Sequence, residues 1–286
     1  MPIVHSSATT RPRHRVPARA CDAHLHILDS GLDCRSTAEQ DATVVQYRAV
    51  QDWLGTERAV VVQPRIYGTD HRVTLDAIAR LGPANTRGIA VVHPDVPEQE
   101  LHRLHQGGIR GVRMSLYTAK NAAVGFDMLE ALAHKVHAMG WHLQLHWTAD
   151  QIAEHAPALL KLPVTLVFDH LARLPVPQGI AHPAYAVVRE LLQQDRAWIK
   201  LSGAYLNTAL PPAGGYADVL NIARAWVELA PHRLVWGSDW PHTTETHHKP
   251  DDSALLDLLY TWTGSPEIAE RILVDNPAKL YGFDTF

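Results

Sequence analysis

Eight short apolar runs, separated by longer amphipathic stretches, dominate the sequence after residue 19. An apolar run followed by apolar residues at helical spacing is typical of a β-strand followed by an α-helix. The predicted strands are Ala20–Leu28, Ala59–Gln63, Gly88–His93, Gly111–Leu116, His142–Trp147, Val164–His170, Ala197–Ser202 and Leu234–Ser238. The predicted helices are Thr43–Trp53, Val73–Leu81, Glu98–Gln106, Phe126–Met139, Ala149–Leu160, Pro183–Gln194, Tyr216–Leu229 and Ser253–Thr261. Repeated units of this kind form a parallel sheet covered by helices.

Eight strand–helix units in 286 residues fit an α/β fold of the (β/α)₈ TIM-barrel type. The competing fold is an open, doubly wound sheet. Its nucleotide-binding version requires a G-x-G-x-x-G motif after an early strand, and the sequence has none. We therefore predict one barrel domain over residues 20–286, in which Pro266 and Pro277 indicate turns near the C-terminus.

The first 19 residues carry four arginines and three prolines and lack an acidic residue. They also lack the apolar core of a secretory signal, and the prolines are incompatible with the amphipathic helix of a transit peptide. We predict that residues 1–19 are a disordered basic leader outside the barrel.

Overall composition excludes several classes of partner. The net charge of −4 argues against nucleic acid, and no apolar run approaches the ~20 residues that span a membrane. Cys21 and Cys34 have no metal-binding or redox spacing, so a reducing cytoplasm fits best. The apolar helix faces leave room for a homo-oligomer, but the sequence does not indicate which face would be used.

Polar side chains follow the predicted strands, and in a barrel the reactive groups gather at the carboxyl ends of the strands. In chain order these residues are Asp22, His24, His26, Gln63, His93, Arg113, His146, Asp169, His170, Ser202, Tyr205 and Asp239. We expect them to surround one site.

His24 and His26 are two residues apart, so on a strand their side chains share one face and Leu25 points to the other. Two neighbouring imidazoles can bind one metal ion, or can jointly donate hydrogen bonds to a carbonyl oxygen. Because the chain contains 19 histidines, two structural histidines are an equally good interpretation of the pair alone.

Asp239 directly follows the last predicted strand. Gly237 permits close backbone approach there, and Pro241 ends the strand. A carboxylate that faces imidazoles is suited to act as a general base for water. The alternative role, a helix N-cap, fits less well because the next predicted helix begins only at Ser253.

The sixth strand ends in Asp169 and His170. His170 supplies a third imidazole to the predicted site, whereas Asp169 is expected to point to the opposite side and to pair structurally. His146, after the fifth strand, has three open interpretations: a ligand, a substrate contact or a filler of the barrel top.

Several sequence segments, which occur in the same order along the domain, resemble those of the amidohydrolase superfamily (amidohydrolase family 2). The resemblance is greatest to its branch of 2-pyrone-4,6-dicarboxylate lactonase, sugar-lactone hydrolases and galactarolactone isomerase. The segments that carry this resemblance are Asp22–His26, Val61–Pro64 with Gly68–Asp70, Arg87–Val92, Gly108–Arg113, Gly140–His142, Asp169–Arg173, the surroundings of Asp239, and Asn276–Tyr281.

The resemblance implies hydrolysis of a small, carboxylated lactone, similar to 2-pyrone-4,6-dicarboxylate or a sugar-acid lactone, by a carboxylic-ester hydrolase. It gives Asp239 the activation of water, and gives His24, His26 and His170 the polarisation of the carbonyl. Arg113 would hold a substrate carboxylate. The other expected substrate-binding residues are Gln63, Tyr67, Thr69, Tyr117, His146, Tyr205 and His242.

Three departures from the pattern of that branch leave the substrate open. Tyr117–Lys120 replaces a segment with a second arginine, His146 replaces a tyrosine, and an Asp-His-Met-Gly-Arg motif becomes Asp169–Arg173 with Leu and Ala in its middle. The intact His-x-His pair and Asp239 favour hydrolysis over the isomerase reaction of the same branch.

The lactonase branch commonly works without a metal, and we expect no cofactor. A cationic Arg113 near the site opposes a divalent ion, and the fourth strand offers no bridging lysine or glutamate. The alternative is one Zn²⁺ held by His24, His26, His146, His170 and Asp239. The function that corresponds to bound zinc is that of an amidohydrolase or decarboxylase. Two further alternatives, independent of zinc, are a lactone isomerase and a catalytically silent sugar-acid binding protein.

Overall fold

A nearly closed barrel of eight parallel strands forms the centre of the molecule. The computed structural model describes residues 10–37, 39–118, 120, 122–211, 214–246 and 248–284. Its strands are β1 (Cys21–Leu25), β2 (Arg58–Val62), β3 (Thr86–Ala90), β4 (Ile109–Ser115), β5 (His142–His146), β6 (Leu166–Phe168), β7 (Ala197–Leu201) and β8 (Leu234–Trp236). Since the strands pair in sequence order, the predicted single-domain (β/α)₈ TIM barrel is confirmed.

Helices connect and cover the strands. They are α1 (Val44–Leu54), α2 (Arg72–Leu81), α3 (Glu98–Gln106), α4 (Leu129–Ala138), α5 (Ala149–Glu154), α6 (Ala156–Leu159), α7 (Pro183–Gln193), α8 (Ala204–Asn207), α9 (Leu220–Leu229), α10 (Asp252–Thr263), α11 (Pro266–Glu270) and α12 (Asn276–Tyr281). None of those in the described residues is long and apolar enough to cross a membrane.

Local chemistry explains several helix boundaries. Thr148 begins α5 with a capping box, and the carboxylate of Asp251 accepts hydrogen bonds from the first turn of α10. Pro266 and Pro277, interpreted above as turns, instead lie in the first turns of α11 and α12. Proline is tolerated there because the first amides of a helix have no partner within it.

The hydrophobic core has two layers. The larger layer lies between the barrel and its helices, and the smaller one lies inside the barrel. Tyr281 and Phe283, from the C-terminal segment, pack into the inner layer with Val60, Val235 and Trp198. Because this segment closes one end of the barrel with apolar side chains, the polar site lies at the other end, where the strands have their carboxyl termini.

Strand β1 contains one more residue than β2 across the same distance. Asp22 pairs with Ala59, but the next pair is Leu25 with Val61. Such a bulge interrupts the alternation of side chains. Asp22 was grouped above with the histidines, and the structure corrects this: its carboxylate accepts hydrogen bonds from Tyr47 on α1 and from Ser238.

The N-terminal segment lies against α1 and α10. Trp53 Nε1 donates to the carbonyl oxygen of Thr10, the amide of Arg13 donates to Asp257, and His14 stacks on Tyr260. Residues 10–19 of the predicted leader thus have specific contacts with these two helices. Residues 1–9 lie outside the described residues.

Candidate active site

His24, His26 and Asp239 form a compact buried cluster at the carboxyl end of the barrel. The two Nε2 atoms lie 3.3 Å apart, and each lies 3.5 Å from Asp239 Oδ1. His26 is oriented by a 2.8 Å hydrogen bond between its Nδ1 and the carbonyl oxygen of Val62. The structure thus brings together the three residues that the sequence suggested for the centre of the site.

Close contact between β8 and β1 places Asp239 in this cluster. A Cβ atom on Gly237 would lie 2.5 Å from the Cβ of His24, so only glycine fits without displacement. After Gly237 the chain follows β1, because the amide of Asp239 donates to the carbonyl oxygen of His24 at 2.8 Å. Asp239 itself has a left-handed backbone with a φ of 63°, a strained conformation that is common at functional sites.

The second oxygen of Asp239 has different partners. Tyr205 donates its hydroxyl to Oδ2 at 2.6 Å, and His170 Nε2 lies 3.8 Å from the same oxygen. Burial alone would raise the pKa of Asp239, but its contacts with the surrounding imidazoles, first that of His170, hold the pKa well below its usual value. The carboxylate is therefore ionised, as a general base must be.

His170 begins a left-handed turn that the sequence did not indicate. Residues His170, Leu171, Ala172 and Arg173 all have φ between 51° and 59°. The ring packs against Gly203, whose added Cβ would lie 2.7 Å from its Nδ1, and the same nitrogen is 2.9 Å from Ser202 Oγ. Burial lowers the pKa of His170 to about 3, so its imidazole is neutral near pH 7.

Asp169 lies inside the site, where we expected it to point away. Strand β6 ends at Phe168, so the alternation of strand side chains no longer applies to Asp169. Its Oδ2 accepts hydrogen bonds from Arg113 Nε at 2.9 Å and from Gln144 Nε2 at 3.1 Å, and its Oδ1 lies 3.5 Å from His24 Nδ1. The expected structural pairing is present, but it connects β4 and β5 to the buried cluster of His24, His26 and Asp239.

Lys200, which sequence reasoning missed, is fully buried beside this cluster. Its Nζ donates to the carbonyl oxygen of Ala23 at 2.8 Å and lies 3.4 Å from His24 Nδ1. Burial lowers the pKa of Lys200 to about 8. Its position on β7 could have indicated that it faces the barrel interior. Lys200 is two residues after Trp198, which faces the interior, and side chains two apart on a strand share one face.

Arg113, one of the predicted substrate-binding residues, lines a small cleft. Its lining also includes Arg65 and Ser115. Gln63 lines the same cleft, but its amide is engaged by the carbonyl oxygens of Gly68 and Asp70. Arg65 was not singled out in the sequence, because nothing in its neighbourhood distinguishes it from a surface arginine.

The remaining predicted substrate-binding residues have varied surroundings. Tyr67 is buried and accepts a hydrogen bond from the amide of Asp29, whereas Thr69 is exposed. His242 is buried and pairs with Asp252 at 2.8 Å. These contacts are those of residues that hold the loops in place.

Tyr117 and His146 form a stack at the edge of the site. Their ring centroids are 5.2 Å apart, and the guanidinium of Arg173 lies 4.2 Å from the ring of Tyr117. His146 Nδ1 lies 3.0 Å from Ser115 Oγ, and its ring meets that of His170 edge-on. His146 is therefore adjacent to the cluster, although among the described residues it belongs to neither set of side chains whose atoms lie close enough together to hold a metal ion.

Among the residues that the structure describes, two groups of buried side chains have the composition of a metal site: His24 with His26 and Asp239, and His24 with Asp169 and His170. In tetrahedral zinc sites, ligand atoms about 2.0–2.1 Å from the ion lie about 3.3 Å from each other. The separations of 3.3, 3.5 and 3.5 Å in the first group match this spacing. The residues therefore fit one Zn²⁺.

Comparison with known families and proteins gives a consistent result. A family model described as amidohydrolase matches residues 21–283. The chain is 33% identical to a 2-pyrone-4,6-dicarboxylate hydrolase of Comamonas testosteroni, over 95% of this chain and 93% of that protein. It is 31% identical to a 4-sulfomuconolactone hydrolase of Rhizobium radiobacter, over 93% of this chain and 91% of that protein. It is 29% identical to a D-galactarolactone isomerase of Agrobacterium fabrum, over 98% of this chain and 96% of that protein.

Solved structures show the same similarity. An apo structure of an Agrobacterium tumefaciens protein superposes with a TM-score of 0.86 at 26% identity, covering 96% of this chain and all of that one. A probable 2-pyrone-4,6-dicarboxylic acid hydrolase of Acinetobacter baumannii, solved with citric acid bound, has a TM-score of 0.76 at 29% identity and covers 93% and 100%. The similarity extends over nearly the whole chain in both cases.

Proposed function

The chain belongs to the amidohydrolase family, whose model covers residues 21–283, and on this premise we propose that it hydrolyses a small lactone that carries a carboxylate. The observation that carries the proposal is the position of Asp239, a buried carboxylate with Oδ1 3.5 Å from the Nε2 atoms of both His24 and His26. A carboxylate suited to act as a general base thus lies next to two imidazoles that can form hydrogen bonds, and ester hydrolysis requires both kinds of group.

In the proposed reaction Asp239 takes a proton from water while the water oxygen bonds to the lactone carbonyl carbon. The imidazoles of His24, His26 and His170 polarise the carbonyl and stabilise the developing oxyanion. The bond between the carbonyl carbon and the ring oxygen then breaks, and the ring oxygen receives the proton. The product is an open-chain acid with a hydroxyl group, or the keto form of that product.

Positive charge beside the cluster supports an anionic substrate. Arg113 and Arg65 line one cleft, and a planar guanidinium binds a carboxylate through two parallel hydrogen bonds. The relatives named for 2-pyrone-4,6-dicarboxylate and 4-sulfomuconolactone act on anionic lactones, and the Acinetobacter relative was solved with the tricarboxylate citrate. These relatives make a carboxylated lactone the favoured class of substrate.

We propose further that hydrolysis proceeds without a metal. Two carboxylates, Asp169 and Asp239, already stand beside two cations, Arg113 and Lys200, so a divalent ion would leave the buried site with excess positive charge. His24, His26 and Asp239 are the residues that would hold Zn²⁺, which when bound would supply Lewis-acid polarisation of the carbonyl and a more acidic water.

Asp239→Asn tests the proposal, because an amide cannot accept the proton of water. We expect hydrolysis of dicarboxylate and aldonic lactones, followed by proton release, to fall by at least about 10²-fold, in the range of general-base catalysis. Circular dichroism should show an unchanged fold, and Asp76→Asn, at the surface of α2, should keep full activity. Chelator-treated protein should also keep its activity.

A nearly unaltered rate in Asp239→Asn would refute the mechanism. Loss of activity on chelation, restored by one equivalent of zinc, would refute its metal-free form.

Product analysis addresses the second candidate function, lactone isomerisation, which the relationship to D-galactarolactone isomerase favours. An isomerase would return a second lactone with no net proton release.

A further inference from the structure

A line of contacts runs from Lys200 through both histidines of β1. Lys200 Nζ lies 3.4 Å from His24 Nδ1, His24 Nε2 lies 3.3 Å from His26 Nε2, and His26 Nδ1 lies 2.8 Å from the carbonyl oxygen of Val62. The two ends of this line are chemically fixed, because an ammonium group only donates hydrogen bonds and a carbonyl oxygen only accepts them.

Each end of the line determines the protonation of one ring. To donate to Val62, His26 must carry its proton on Nδ1, which leaves a lone pair on its Nε2. To accept from Lys200, His24 must have a lone pair on Nδ1, so its proton is on Nε2. The middle contact then follows, since His24 Nε2 donates to His26 Nε2.

Asp169 is the one neighbour that would favour the opposite arrangement at His24. Its Oδ1 lies 3.5 Å from His24 Nδ1 and, within the part of the chain that the structure describes, has no hydrogen-bond partner. The contact between Lys200 and the same nitrogen does have hydrogen-bonding geometry. Lys200 and Asp169 thus compete for His24 Nδ1, and the geometry favours Lys200.

We propose that Lys200 is a positioning residue that keeps the His24 proton on Nε2 and thereby gives the two histidines different tasks. His24 Nε2–H donates to the lactone carbonyl. His26 Nε2, with its lone pair, accepts a hydrogen bond from the attacking water together with Asp239 Oδ1, 3.5 Å away. A water held by two acceptors has its own lone pair free for the carbonyl carbon. This division of tasks rests on the hydrolysis proposed above and changes the role of one residue in it: His24 and His170 polarise the carbonyl, whereas His26 positions the water.

The same arrangement governs metal binding. A ring nitrogen that carries a proton cannot be a zinc ligand, so Lys200 disfavours Zn²⁺ between His24, His26 and Asp239. Without Lys200, Asp169 would be the remaining partner of His24 Nδ1, and the proton would move to that nitrogen. Histidines that bind a metal through one ring nitrogen commonly donate a hydrogen bond from the other nitrogen to a carboxylate, which here would be a bond from His24 Nδ1 to Asp169.

The experiment compares the unaltered protein with Lys200→Met, which has no donor, and Lys200→Arg, which keeps one. Long-range ¹H–¹⁵N spectra of protein labelled with ¹⁵N-histidine show which ring nitrogen carries the proton, and His24→Gln identifies the His24 signals by their loss. Competition with a chromophoric chelator measures zinc affinity. We expect an Nε2 proton on His24 in the unaltered and Lys200→Arg proteins. In Lys200→Met we expect an Nδ1 proton and zinc binding tighter by about 10- to 100-fold.

An Nδ1 proton on His24 in the unaltered protein would overturn the proposal, as would unchanged zinc affinity in folded Lys200→Met. If Lys200→Met fails to fold, the spectrum of the unaltered protein still decides the outcome. Neither measurement requires a substrate. Failure of the proposed hydrolysis would appear in the Asp239→Asn assay and would leave the His24 spectrum as it is.

Discussion

Among single residues, Asp239 shows most clearly how neighbours define a chemical task. Tyr205 engages Oδ2 at 2.6 Å, while Oδ1 faces the imidazoles of His24 and His26. Tyr205 was predicted to be a substrate-binding wall of the pocket. Its contact with Asp239 indicates that it also orients this carboxylate, the proposed base. No spacing in the sequence suggests this partnership, because the two residues lie 34 positions apart.

Tyr205→Phe is expected to raise the pKa of Asp239, because a hydrogen bond to the ionised form is lost. The base works in its ionised form, so activity is present above this pKa and is lost as the pH falls through it. The acid limb of kcat/KM against pH should therefore move to higher pH by about 1–2 units, the equivalent of one hydrogen bond to a charged group. Tyr185→Phe, far from Asp239 in contact with Trp226, should leave the profile unchanged. An unshifted acid limb in Tyr205→Phe would show that Tyr205 does not act on the base.

The sequence was sufficient to predict site residues that stand at the ends of strands. It was not sufficient to predict a residue whose role depends on which groups from other strands surround it. His24, His26 and Asp239 stand at strand ends, and the structure places them together. Lys200 lies in the middle of an apolar strand, where its charge gives no sign of the carbonyl and imidazole that surround it.

At the level of strands and turns, two local irregularities decide which side chains enter the site. The bulge in β1 turns Asp22 away from the histidines, and the early end of β6 turns Asp169 inward. If side chains alternated strictly along both strands, Asp22 would lie inside the site and Asp169 would point away from it, which is the reverse of what the structure shows. An inserted residue is a property of the pairing between β1 and β2, and neither strand carries it alone.

Gly237→Ala is expected to damage this local geometry. The new Cβ would lie 2.5 Å from the Cβ of His24 and 2.8 Å from its amide nitrogen, so β8 and β1 must move apart. Overpacking of this kind costs about 1–3 kcal/mol of unfolding free energy, and displacement of His24 from Asp239 should lower kcat by about 10²-fold. Urea denaturation and steady-state kinetics measure the two effects.

Gly31→Ala provides the matched control, because its Cβ would meet only the side chain of Asp29 at 3.2 Å in an exposed loop. It should change neither quantity appreciably. Equal kinetics for Gly237→Ala and the unaltered protein would mean that the close approach of β8 to β1 does not position the site.

For the whole molecule, the repeated strand–helix pattern was sufficient to predict the barrel, but not how its ends are closed. The N-terminal segment is held through Arg13 and Asp257, and the C-terminal segment through Arg58 and the carbonyl oxygen of Asp284. These partners lie 244 and 226 residues apart in sequence, where no local periodicity connects them. Near the chain ends, the predicted turns at Pro266 and Pro277 are therefore the interpretations that differ most from the structure.

Tyr281 offers a test of how the C-terminal segment closes the barrel. Its ring is fully buried in the inner core and meets His142 edge-on at 5.5 Å, while its hydroxyl has no hydrogen-bond partner among the described residues. Tyr281→Ala should lower the free energy of unfolding by about 3–5 kcal/mol, as expected for loss of a buried aromatic ring. Tyr281→Phe should instead keep or raise it, by up to about 1 kcal/mol, because a buried hydroxyl without a partner is removed. Urea denaturation of both variants distinguishes the ring from the hydroxyl, and strong destabilisation by Tyr281→Phe would mean that the hydroxyl has a structural partner.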